Sequence, residues 1–182
     1  MIELSLHVLD IAENSTRAGA KNVYITIAED TFRNRFSLEI RDDGAGMTEE
    51  VLKRAMDPFF TSKTVRRVGL GLPMLAQAAE QAGGSLSLES EQGKGTRVHV
   101  EFQLNHIDRQ PLGDMAGTLA TLIAGNGNVD FIYSHRHDDR EFLLDTREIR
   151  GELEDVPLNH VAVLNYIKQQ VEQGLKEIQA IS

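Results

Sequence analysis

The chain has 182 residues, 41% hydrophobic and 26% charged, which suits one globular domain or one domain with a small appendage. A net charge of −9 argues against a phosphate-backbone partner, so no nucleic acid is expected. The absence of cysteine excludes a disulfide framework and any cysteine-ligated zinc or iron–sulfur site. No apolar run reaches the roughly 18 residues that span a bilayer, and Met1-Ile2-Glu3-Leu4 lacks a basic region followed by an apolar stretch. A soluble cytoplasmic protein without membrane contact is the expectation.

From Glu3 to Ala18 no Gly or Pro interrupts, and Leu4, Val8, Ile11, Ser15 and Ala18 recur at helical spacing. Gly19 stops this helix. Glu3, His7, Asp10 and Asn14 form an adjoining polar row, which is also what the solvated edge of any helix looks like. Val23, Ile25 and Ile27 alternate as a first strand, and Glu29 to Asn34 reads as a polar connection. Phe36, Leu38 and Ile40 share one face of the next strand, and Asp42 follows in the same phase. A carboxylate is thus aimed where a core side chain would go. Gly44 and Gly46 come at once, letting the backbone turn sharply or pass close to a bound group. A strand end with an Asx turn is the alternative.

Thr48 caps a short helix that ends before Pro58. Asp57 to Val68 is a loop, basic at Lys63, Arg66 and Arg67. Gly69-Leu70-Gly71-Leu72-Pro73 then opens a helix, with Pro73 suited to its first position. Glycine-rich helix openings are anion sites because their free N–H groups point outward. The P-loop and Rossmann patterns are absent. Ser85 to Ser90 and Thr96 to Leu104 are two further strands around Gln92-Gly93-Lys94-Gly95. Thr96 is in phase with Val98, Val100 and Phe102, so a second strand end aims a polar group into the apolar layer. These elements predict a two-layer α+β sandwich, mostly antiparallel, with helices on one face.

Composition shifts near Asn105, where a C-terminal α+β extension, residues 105–182, follows a domain of residues 1–104. Met115 to Ala124 is apolar enough for a buried helix. Val129 to Ser134 and Arg140 to Leu144 are candidate strands. Between them His135, His137, Asp138 and Asp139 read as a charged turn, with a metal site as the alternative. Thr146 to Leu153 is a short helix and Leu158 to Ile178 a longer one.

Taken in order, five short stretches resemble the ATP-binding domain shared by gyrase, MutL, heat-shock chaperones and sensor histidine kinases, often called GHKL or the Bergerat fold. They are Asp10 to Ala20, Asp42 to Gly46, Asp57 to Lys63, Gly69 to Leu72, and Gly93 to Thr96. The wording of Phe59-Phe60-Thr61-Ser62-Lys63 is nearest to histidine kinases. The resemblance implies ATP and Mg²⁺ as ligands. It implies Asn14 on the metal, Asp42 on the adenine amino group with Thr96 assisting, and Gly44 and Gly46 letting the backbone approach the base. Gly69, Gly71 and Lys63 would meet phosphate, and Thr64 to Val68 would form a short lid. Hydrolytic relatives carry a glutamate four residues before the metal asparagine as general base; here that position is Asp10, a shorter arm. The segment bearing a sensor kinase's phosphoacceptor histidine does not precede Asp10. The function implied is a stand-alone kinase, similar to anti-sigma serine kinases, or a regulatory ATPase. Either would act on a protein partner or phosphoacceptor. A non-catalytic ATP-binding module is the alternative, and a homodimer is left open.

Overall fold

In the computed structural model, residues 3–57 and 71–181 are described. Helix α1 (Leu4–Arg17) leads into strands β1 (Asn22–Asp30) and β2 (Arg35–Asp42). Then come α2 (Glu49–Ala55), α3 (Gly71–Gln81), β3 (Ser85–Glu91) and β4 (Gly95–Gln103). Beyond these lie α4 (Met115–Gly125), β5 (Asp130–His137), β6 (Arg140–Asp145), α5 (Thr146–Glu152) and α6 (Val161–Glu177). All six strands form one sheet in the order β3-β4-β2-β1-β5-β6. Among the described residues the β1–β5 pair alone is parallel.

The period-two pattern explains which face is covered. Val23, Ile25 and Ile27 of β1 are fully buried, as are Phe131 and Tyr133 opposite them on β5. Each such side chain contributes roughly 1.5–3 kcal/mol by leaving water. α1 and α3 contact the strands from this side, while α4 packs against both α1 and α6. The opposite face carries a polar ladder in which the Glu39 carboxylate accepts from Arg97 at 2.7 Å and contacts His99 at 3.2 Å. The expected α+β sandwich is therefore present.

The register of β2 carries the point that matters for the site. Phe36, Leu38 and Ile40 are buried, and Asp42 comes next on the same side at the strand's end. The same sheet end receives the start of β4 at Gly95 and Thr96.

Several elements differ from the sequence reading. β1 runs on through Glu29 and Asp30, so the connection shrinks to Thr31–Asn34. β5 runs through His137, which places His135 in a strand and not in a charged turn. The physical reason is a buried hydrogen-bonded chain. Tyr133 Oη lies 2.7 Å from His135 Nδ1, and His135 Nε2 lies 2.5 Å from Glu29 Oε1. The Ile181 N–H also donates to Glu29. Burial raises the Tyr133 pKa, so the phenol keeps its proton and donates to His135 Nδ1, which leaves Nε2–H to donate to the Glu29 carboxylate. Paired this way, polar side chains sit in a core without an orphan. The described part of α3 already includes Gly71 and Leu72, ahead of Pro73. α6 begins at Val161, capped by His160, whose Nδ1 accepts from the Ala162 N–H at 3.2 Å.

Candidate functional site

The C-terminal half of α1, the β2–α2 loop and the start of β4 surround a cavity of about 310 Å³. Its walls are largely apolar: Ile11, Ile40, Met47, Val51, Leu72 and Val98. Asn14, Asp42 and Thr96 are among the polar residues that line it, with Ser15, Arg17, Thr48 and Gln92. An apolar slot with a few convergent polar groups is the usual form of a small-molecule site.

Asp42 is held by three donors. Its Oδ1 accepts from the Gly44 N–H at 2.9 Å and the Thr96 N–H at 3.3 Å, and its Oδ2 accepts from Ser15 Oγ at 2.6 Å. The neighbouring Asp43 does something else. It turns to the other side and accepts from the Lys21 and Asn22 N–H groups and from Asn22 Nδ2. Burial works against its charge, yet the bonds from Asn22 and Lys21 outweigh that and hold its carboxyl below the usual range. Asp43 thus pins β1 to the loop, and Asp42 is left for the cavity.

The loop after Asp42 is clamped from both sides. The Ala45 N–H donates to Ala18 O at 2.9 Å, and the Gly93 N–H donates to Ala45 O at 2.7 Å. Gly46 has φ +67°, and a Cβ there would stand 2.1 Å from Glu91 O. Only glycine satisfies both conditions. Gly44 sits against Ala18 O and the Asp42 carboxylate.

The phosphate-side residues meet differently. A Cβ on Gly71 would lie 2.0 Å from Asp10 Oδ2, so the Asp10 carboxylate rests against Gly71 of α3. Asn14 lies one helical turn beyond Asp10 and faces the cavity. Its Oδ1 accepts from Arg17 at 3.4 Å. His7, in the same polar row, is buried and bonded to Gln110 at 3.1 Å, so the row divides between a structural end and an open end. Of the residues singled out from sequence, Asn14, Asp42, Gly46 and Thr96 line the cavity, Gly44 supports Asp42, and Asp10 meets Gly71. Lys63 and Gly69, with the lid Thr64 to Val68, lie outside the described residues. Ser15 and Arg17, to which the sequence assigns no site role, also line the cavity. Ser15 looked like a core position; the available signal was its helical offset of one from Asn14.

Residues 2–106 match the family described as histidine kinase-, DNA gyrase B-, and HSP90-like ATPase. The chain belongs to this family. Among curated proteins, this chain is 39% identical to Sporulation kinase E of Bacillus subtilis (strain 168) over 79 residues, 43% of this chain and 10% of that protein. It is 32% identical to Sporulation kinase C of the same organism over 96 residues, 53% of this chain and 22% of that protein. Sensor kinase CckA of Brucella abortus (strain 2308) is 44% identical over 63 residues, 34% of this chain and 7% of that protein. The chain thus spans less than a quarter of the length of these kinases. A solved structure, the N-terminal domain of a DNA repair protein, shares the fold with a TM-score of 0.55 at 17% identity, covering 80% of this chain and 53% of that one. That coverage exceeds the family-matched stretch, so the likeness of fold continues into residues beyond 106. Among the described residues no helix is long and apolar enough to cross a membrane.

Proposed function

We propose that this chain is a Mg²⁺-dependent ATP-binding domain that works as a kinase or regulatory ATPase on a protein partner. The observation that carries the reading is the Asp42 carboxylate, fixed by three donors at the end of an apolar cavity. A flat base with an exocyclic amine matches that arrangement: apolar faces for the ring and a rigid acceptor for the N–H. Asn14 offers an amide oxygen, a hard ligand that suits Mg²⁺, which takes most of its oxygens from phosphate and water. The metal would neutralise charge on the phosphates. The N-terminus of α3, with Gly71, would face those phosphates, and Lys63 and Gly69 are assigned to the same end by resemblance. Asp10 touches Gly71, which supports its role as the base that orients an attacking water or acceptor group. Residues 1–104 form the nucleotide unit in this reading, and residues 105–182 support it.

The test is incubation of the full chain with γ-labelled ATP, Mg²⁺ and a cell lysate. Label transferred to a protein identifies a kinase, and free phosphate identifies an ATPase. Binding without either would mark a non-catalytic module, and absence of ATP binding would refute the reading. Asp10→Asn is expected to leave ATP affinity unchanged and to abolish turnover; turnover at the native rate would remove Asp10 from the mechanism.

A further inference from the structure

Ser90 belongs to none of the recognised motifs. It stands near the end of β3, directly opposite Thr96. Its Oγ meets three polar groups: the Met47 N–H at 2.8 Å, the Gly95 carbonyl at 3.0 Å, and Thr96 Oγ1 at 2.8 Å. A serine hydroxyl has one proton and two lone pairs. The Met47 N–H can only donate, so it takes one lone pair. The Gly95 carbonyl can only accept, so it takes the proton. The remaining lone pair must then receive the Thr96 proton. This is the only arrangement in which all three contacts are hydrogen bonds together. Thr96, whose side chain lines the cavity, therefore turns lone pairs and not its proton toward the ligand.

We propose that Ser90 is a positioning residue for base recognition, holding the Thr96 hydroxyl as an acceptor so that Asp42 and Thr96 together present an acceptor-only edge. This rests on reading the cavity as an adenine site. Adenine offers an amine N–H to Asp42, but its N1 is itself an acceptor. Thr96 held in this way does not bond N1 directly. It fixes a water, which gives one proton to Thr96 and the other to N1. Because Ser90 is anchored by both the Met47 N–H and the Gly95 carbonyl, the orientation is set before the ligand arrives, and binding does not have to order it.

The test uses the full chain and calorimetry with two ligands, ATP and 1-deaza-ATP. The second lacks the N1 acceptor and keeps the amine. The native protein is expected to favour ATP by about five- to tenfold, the worth of one net hydrogen bond. Ser90→Ala frees the Thr96 hydroxyl, whose proton can then turn to the water or to N1 itself, and should move the ratio away from its native value. Ser90→Thr keeps a hydroxyl and should restore it. Thr96→Val, close in shape and without the hydroxyl, should bring the ratio toward one, so the outcome does not hang on one variant folding. A purely structural role for Ser90 would weaken both ligands by the same factor and leave the ratio intact, which would overturn the proposal. A native ratio near one would also overturn it. If the native protein binds neither nucleotide, the adenine reading fails and this inference falls with it.

Discussion

Asp42 shows how much a single side chain can decide. A carboxylate accepts from all three of its neighbours. An amide keeps one acceptor and turns an N–H₂ toward a donor, so two like groups face each other. Asp42→Asn should therefore weaken ATP binding by about 10- to 100-fold while circular dichroism stays native. Unchanged affinity in calorimetry would show that Asp42 is not in the pocket. His7 makes a separate case. Burial lowers its pKa, although the bond to Gln110 and the charge of Asp10 oppose this. The folded state then binds a proton less readily than the unfolded chain, so its contribution to stability is full above the unfolded value of 6.5 and declines as pH falls from there through the folded value. His7→Gln should flatten the melting temperature against pH between about 7 and 5. An equally steep profile in the variant would assign the slope to other groups. The phase of Asp42 with its strand was legible in the sequence because a period of two needs no tertiary information. Ser90 was not, because its meaning depends on three backbone and side-chain atoms that only the folded sheet brings together.

At the scale of elements, two glycines show local preference yielding to packing. Gly174 lies inside α6, where alanine would ordinarily gain about 1 kcal/mol. A Cβ there would stand 2.1 Å from the Phe142 ring. Overpacking costs about 1–3 kcal/mol, so Gly174→Ala is expected to lower the melting temperature by a few degrees, and a rise would contradict the packing of α6 on β6. Gly71→Ala should displace the Asp10 carboxylate, lowering turnover more than ATP affinity; equal loss of both would point to damage at the base instead. The helices and strands were readable from periodicity, yet the ends of β1 and β5 moved where Glu29 and His135 found each other. Glu29 and His135 have the composition of a turn, and each became part of a strand because the other was there. No local pattern announces a partner 106 positions away.

At the scale of the whole molecule, the extension completes the sheet that carries the site. β5 covers one edge of β1, and α4 packs on α1, the helix that bears Asp10 and Asn14. Removing residues 105–182 would uncover that edge and leave α1 without its neighbour. The remaining piece should lose cooperative urea unfolding and associate through the exposed strand. A sharp two-state transition in that piece would instead mark the extension as dispensable. The sequence signalled that this part was ordered, through the amphipathic pattern of α6, but not where it docked, because pairing between distant strands leaves no local trace.

The parallel β1–β5 pair also bears on how the chain reaches its fold. Asn22 pairs with Asp130 and Glu29 with His137, a separation of more than a hundred residues along the chain. During synthesis, β1 and β2 can form their hairpin early, but the far edge of β1 stays open until β5 has emerged. Contacts this distant in sequence slow folding, and an open strand edge invites pairing with other chains in the meantime. The pairing that covers β1 thus falls late in synthesis, and the candidate site is assembled on a scaffold whose central strand is covered only after β2, β3 and β4 have all emerged.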